Sequence, residues 1–126
     1  MNAQESDNSR CRVLVVDDDH DGADSLAEVL RLIYCIDSDV AYDGQTACSI
    51  ARSRHPQTVV LDLELRLESG FDVADSLLNA SPSHPPRLVA VTGNAQLQAR
   101  AADDARFAGS LIKPPDLPAL VRLIEH

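Results

Sequence analysis

Hydrophobic positions along this chain follow two rhythms. In the first, aliphatic residues run unbroken over a few positions: Arg12-Val-Leu-Val-Val16, Val59-Val-Leu61, Leu88-Val-Ala-Val91 and Ser110-Leu-Ile112, with a weaker Asp39-Val-Ala-Tyr42. Continuous runs, rather than alternation with polar residues, predict strands covered on both faces. In the second, apolar residues recur at helical spacing. Ala23, Leu26, Ala27, Leu30 and Ile33 form one stripe, and Leu117, Leu120, Val121 and Ile124 another. Ala47, Ile50 and Ala51 form a shorter stripe, as do Val73, Ala74, Leu77 and Leu78. Ala95–Arg106 is Ala-rich with a weak stripe and is read as a fourth helix. Asp116 stands where an N-cap is wanted, with Pro118 in the first turn of the last helix.

Strand and helix thus alternate five times. This order predicts an α/β fold, with a single five-stranded parallel sheet wound by helices on both faces. Such sheets bind ligands beyond the carboxyl ends of their strands, so the residues closing each apolar run are the ones to inspect.

Composition narrows the field. The 126 residues fit one domain, expected over residues 11–126 behind a flexible polar tail at 1–10. A hydrophobic content of 44% argues against disorder. Eleven basic against 20 acidic residues leave a net charge of −9, which argues against nucleic-acid backbones and anionic membranes as partners. No apolar run approaches the roughly 18 residues of a membrane span, and the N-terminus carries no apolar leader, so a cytoplasmic location is expected. Cys11, Cys35 and Cys48 are widely spaced and odd in number, and are expected to be reduced thiols. Ten of the cations are Arg; Lys113 is the single Lys.

The strand ends carry the chemistry. The first run closes in Asp17-Asp18-Asp19, the third in Asp62, the fourth in Thr92-Gly93-Asn94 and the fifth in Lys113-Pro114. Three neighbouring carboxylates, Asp17, Asp18 and Asp62, repel unless a cation joins them, and a hard divalent ion such as Mg²⁺ suits oxygen ligands. An amine and a hydroxyl beside such an ion suit a phosphoryl group.

Val-Leu-Val-Val-Asp17-Asp18-Asp19, Val-Val-Leu-Asp62-Leu with Gly70, Val-Thr92-Gly and Ile-Lys113-Pro114, in this order and spacing, resemble the receiver domain of two-component response regulators. The resemblance runs from about Arg12 to Glu125. It implies a flavodoxin-like (βα)5 fold with Asp62 as phosphoacceptor. Asp17, Asp18 and Asp62, with the backbone carbonyl of Glu64, would hold Mg²⁺ (or Mn²⁺). Thr92 and Lys113 would contact the phosphoryl group, and the Lys113-Pro114 peptide would be cis. It also implies a histidine kinase, hybrid kinase or phosphotransfer protein as donor, and a downstream protein target. The face made by the fourth helix, fifth strand and fifth helix would be the contact surface of a monomer or weak dimer. By this reading the chain is a switch rather than an enzyme, acting only on itself, either stand-alone or excised from a hybrid kinase; Met1 and the polar tail favour the stand-alone form.

The chain also departs from the family pattern. Arg66 stands where a Pro is usual, which predicts a more mobile loop. Ser110 replaces the usual aromatic three residues before the Lys, so signalling is expected to rely on the Thr92 loop and the fourth helix. Glu64 and Asn94 occupy positions that tune acyl-phosphate hydrolysis in the family. Asp19 and Asp21 are expected to be solvated-loop or capping charges near the N-terminus of the first helix, where the dipole favours acids. A rival pattern exists: Asp17-x-Asp19-x-Asp21-Gly22-x₅-Glu28 fits a calcium-loop consensus, but a helix would have to enter that loop and the Arg12–Val16 run is β-branched. A degenerate receiver and an Asp-nucleophile phosphatase are further alternatives; the latter would need cap insertions the chain lacks.

Overall fold

The computed structural model describes residues 12–125. The expected tail at 1–10 and Cys11 lie outside these residues. Five strands form one parallel sheet: β1 (Val13–Val16), β2 (Ser38–Ala41), β3 (Thr58–Asp62), β6 (Arg87–Thr92) and β7 (Phe107–Ile112). A two-stranded antiparallel ribbon, β4 (Glu64–Leu65) with β5 (Glu68–Ser69), follows β3 directly. The helices are α1 (His20–Tyr34), α2 (Gly44–Arg54), α3 (Gly70–Ala80), α4 (Ala95–Ala102) and α5 (Leu117–Ile124). The sheet order is β2-β1-β3-β6-β7 and every pairing in it is parallel, which is the flavodoxin-like doubly wound arrangement. The order reverses between β1 and β3. The connections on either side of that point diverge, and a crevice opens at the strand ends.

The unbroken apolar runs are explained by burial on both faces. From β1, Leu14 and Val16 enter one core with Ala47 and Ala51 of α2 and Val73 and Leu77 of α3. Val13 and Val15 enter the other core with Ala23, Ala27 and Leu30 of α1 and Leu120 and Ile124 of α5. All four β1 residues are at most 2% exposed. At roughly 25 cal/mol per Å² of apolar surface, this two-sided burial dominates the fold's stabilisation.

Three local readings change. Ile33 closes the α1 stripe on paper but is 69% exposed. The turn after α1 supplies the burial instead: Cys35 takes a left-handed conformation, the Ile36 N–H donates to the Leu30 carbonyl, and Ile36 is buried. The fourth helix ends at Ala102 rather than reaching Arg106. Arg106 closes the following turn through three bonds to the Asp104 carboxylate, from its backbone N–H at 2.9 Å, Nε at 3.0 Å and Nη2 at 2.7 Å. The last strand starts at Phe107, earlier than the Ser110-Leu-Ile112 run, and its register against β6 slips at Ala108. Asp116 does cap α5, accepting the Ala119 N–H at 3.0 Å. Cys35 and Cys48 are free thiols.

Candidate functional site

β1 and β3 lie side by side and deliver Asp17, Asp18 and Asp62 to the same edge of the sheet. One carboxylate oxygen from each lies within 4.8 Å of the others. β7 runs along the far side of β6, and the residue after it, Lys113, extends back across the edge. Its Nζ donates to Asp17 Oδ2 at 3.0 Å and to Asp62 Oδ2 at 3.1 Å. The Lys113 N–H donates to the Thr92 carbonyl at 2.8 Å, and the Lys113-Pro114 peptide is cis as the resemblance implied.

Each acid accepts two hydrogen bonds, Asp17 and Asp62 at both oxygens and Asp18 at one. Asp62 Oδ1 accepts the Glu64 N–H at 2.9 Å, while Oδ2 takes the lysine. Asp17 Oδ1 accepts the Asp19 N–H at 2.9 Å. Asp18 Oδ2 accepts the Arg66 N–H at 2.7 Å and the Arg66 Nε–H at 3.3 Å. Asp62 is only 5% exposed, and burial pushes its carboxyl above the usual range, against the Glu64 N–H and Lys113, which pull it down. Burial likewise disfavours the Lys113 ammonium, but hydrogen bonds and charge from Asp17 and Asp62 outweigh it and raise its pKa. A cleft of about 510 Å³ between α1 and the β7–α5 connection reaches Asp17, Asp62 and Lys113 at its mouth.

Thr92 closes β6 and is fully buried. Its hydroxyl donates to Glu64 Oε1 at 2.9 Å and accepts the Asn94 N–H at 3.1 Å. Asn94 in turn caps α4, its side chain accepting the Gln96 and Leu97 N–H groups. The hydroxyl therefore sits between the loop after β3 and the start of α4. Ser110, at the position usually aromatic, bonds to α4: its hydroxyl donates to the Gln98 carbonyl at 3.0 Å.

The loop after Asp62 carries contacts that the sequence did not reveal. The Arg66–Leu67 turn joins β4 to β5, and alternate residues reach three neighbours. Glu64 holds Thr92, Arg66 holds Asp18, and Glu68 accepts the Gly44 N–H at the start of α2 at 2.7 Å. The expectation of a looser loop rested on losing a Pro. The Arg at that position provides an N–H that Pro lacks, and this N–H makes one of the loop's anchoring bonds.

The calcium-loop reading fails on geometry. A strand enters the acidic stretch, and α1 begins at His20, which places Asp21 and Glu28 on a helix instead of in a liganding loop. Asp19 occupies the N-cap position, but its side chain makes no capping bond; Asp21 does stand in the first turn, as expected.

Fold and site together define a doubly wound α/β protein with a pocket of hard oxygen ligands and one lysine at its switch point. Residues 13–125 match the response regulator receiver domain, and the chain belongs to that family. It is 35% identical over 121 residues to the transcriptional regulatory protein PrrA of Mycobacterium tuberculosis, and equally to that of Mycobacterium leprae, covering 90% of this chain and 48% of each relative. The chain thus spans about half the length of these curated relatives. Among solved structures it resembles a response regulator signal receiver domain from Bermanella marisrubri, with TM-score 0.80 and 28% identity over 92% of this chain and 96% of that one. It also resembles a chain in the co-crystal structure of the Saccharomyces cerevisiae histidine phosphotransfer signaling protein Ypd1 and the receiver domain of its downstream response regulator Ssk1. There the TM-score is 0.76 and the identity 27%, over 92% of this chain and 87% of that one. Receiver domains are phosphorylation-controlled signalling switches of two-component systems, and the acidic pocket here is consistent with phosphorylation and Mg²⁺ binding. Among the described residues no helix is long and apolar enough to cross a membrane.

Proposed function

We propose that this chain is a cytoplasmic signalling switch in which Asp62 accepts a phosphoryl group from the phosphohistidine of a kinase, hybrid kinase or phosphotransfer protein. A carboxylate oxygen of Asp62 attacks phosphorus and the P–N bond breaks. The imidazole keeps the electron pair and takes up a proton, leaving an acyl phosphate. The observation that carries this reading is the placement of Asp62: buried, bonded to the one lysine, and clustered with two further carboxylates.

The donor set fits Mg²⁺ or Mn²⁺, because all three side-chain ligands are hard oxygens close enough to share one ion. Asp17, Asp18 and Asp62 would hold it, together with the Glu64 carbonyl. When bound, the ion supplies charge neutralisation at the phosphoryl oxygens. Lys113 already bridges Asp17 and Asp62 and would follow the new negative charge. Thr92 would exchange its bond to Glu64 for one to a phosphoryl oxygen, and that exchange would reach α4 through Asn94. The output is contact with another protein, and the chain catalyses only its own phosphorylation and dephosphorylation. The surface formed by α4, β7 and α5 is the proposed contact face, also for a weak dimer; no nucleic acid or membrane is required.

Incubation with acetyl phosphate and Mg²⁺, followed by intact mass, tests the reading. One phosphoryl adduct is expected, absent with a chelator and absent in Asp62→Ala. An adduct that persists in Asp62→Ala would refute it.

A further inference from the structure

The proposed metal site leaves one cation without an assigned role. Arg66 sits at the tip of the β4–β5 ribbon, and both its backbone N–H and its Nε–H point at the same atom, Asp18 Oδ2. Lys113 differs in kind. It bridges Asp17 and Asp62 and its side chain is two-thirds covered, whereas the Arg66 side chain is 85% exposed against 21% for Asp18. We infer that Arg66 is a counter-ion for Asp18 that competes with an incoming divalent cation, so that metal occupancy is read at the exposed ribbon tip.

An ion seated among Asp17, Asp18 and Asp62 would draw on a carboxylate oxygen of Asp18, the group that Arg66 neutralises. Two cations beside one carboxylate repel, and the guanidinium, being solvated, is the one free to leave. Its departure weakens one of the ribbon's three ties, while Glu64 on Thr92 and Glu68 on Gly44 keep the base of the ribbon fixed. Motion is therefore concentrated at the turn, where Leu67 stands 96% exposed. Linkage makes the coupling reciprocal: whatever pulls the Arg66 side chain away from Asp18 tightens metal binding, and metal binding releases that side chain. A partner that engages Leu67 would thus also alter the metal affinity of the switch.

The inference rests on the proposed metal site, and one experiment separates the two. Mg²⁺ is titrated calorimetrically into the wild type, Arg66→Gln and Arg122→Gln, the last removing an exposed cation from α5. Because the Arg66 pair is exposed, its loss is expected to tighten Mg²⁺ binding by roughly two- to fivefold at low ionic strength, fading as salt is added. Arg122→Gln is expected to match the wild type. In the wild type, saturating Mg²⁺ should shift the Arg66 and Leu67 amide resonances. Unchanged or weaker binding in Arg66→Gln, an equal gain in Arg122→Gln, or unmoved Arg66 and Leu67 amides would overturn the inference while leaving the metal site standing. Absence of Mg²⁺ binding in the wild type would overturn both.

Discussion

At the scale of single residues, the site is governed by close approach. Gly70 lies where the chain turns from the ribbon into α3, and a Cβ there would meet Leu63 Cα at 2.5 Å and the Asp62 carbonyl oxygen at 2.7 Å. Its φ is not positive, so the requirement for glycine is space rather than backbone freedom. The obstructing atoms are main chain and cannot rotate away. Gly70→Ala should therefore cost about 1–3 kcal/mol of stability, read as a lower urea midpoint, because the Asp62–Leu63 backbone has to move. An unchanged midpoint would contradict the packing described. This same scale divides what the sequence revealed from what it hid. Asp17, Asp18, Asp62, Thr92 and Lys113 were legible because each closes an apolar run, and a parallel sheet brings such ends together. The partners of Glu64, Arg66 and Glu68 were not, because they depend on how a short ribbon curls over its neighbours, and no periodicity encodes that.

At the scale of elements, Arg106 joins the turn before β7 to α3. Beyond its grip on Asp104, it donates to the Phe71 carbonyl at 3.1 Å and to Asp75 at 2.7 Å. The Arg100 guanidinium from α4 stacks over the Phe71 ring, 4.2 Å from its centroid. These contacts fix α4 and β7 against α3. The Arg106 bonds hold the Asp104 carboxyl down at about 2, below the ordinary 3.8. A depressed carboxyl contributes stability that is full above its unfolded-state value and lost as pH falls through the folded one. Replacing Arg106 by Met should therefore lower the urea midpoint at neutral pH, with the gap to the wild type narrowing between pH about 4 and about 2. A gap constant over that range would contradict the ion pair's contribution. Element boundaries were the least legible part of the chain. The stretch Phe107-Ala-Gly lacks the Leu-Ile pair that marks the end of β7, and its register slips at Ala108. Asp103–Arg106 carries helix-compatible residues, yet Asp104 and Arg106 satisfy each other in a turn instead.

At the scale of the whole molecule, the alternating strand and helix patterns do more than set the fold class. They place four strand ends, two bearing carboxylates, one a hydroxyl and one an amine, along one sheet edge, and the order reversal between β1 and β3 opens the crevice where the acids meet. The net charge of −9 thus acquires a location. Three of the acids form a pocket with Lys113 on one side and Arg66 on the other. Others stand at or near helix starts: Asp43 and Asp116 bond to backbone N–H groups there, and Asp21 lies in the first turn of α1. The core accounts for the fold without reference to that pocket, so the pocket's crowding is a functional feature the fold tolerates. The phosphoryl group is proposed to arrive on Asp62 itself. Reduction of the protein with borohydride after acetyl phosphate and Mg²⁺ treatment converts an aspartyl phosphate to homoserine, and peptide mapping locates it. The account predicts homoserine at position 62 alone; homoserine at 17 or 18, or unmodified Asp62 in phosphorylated protein, would contradict it.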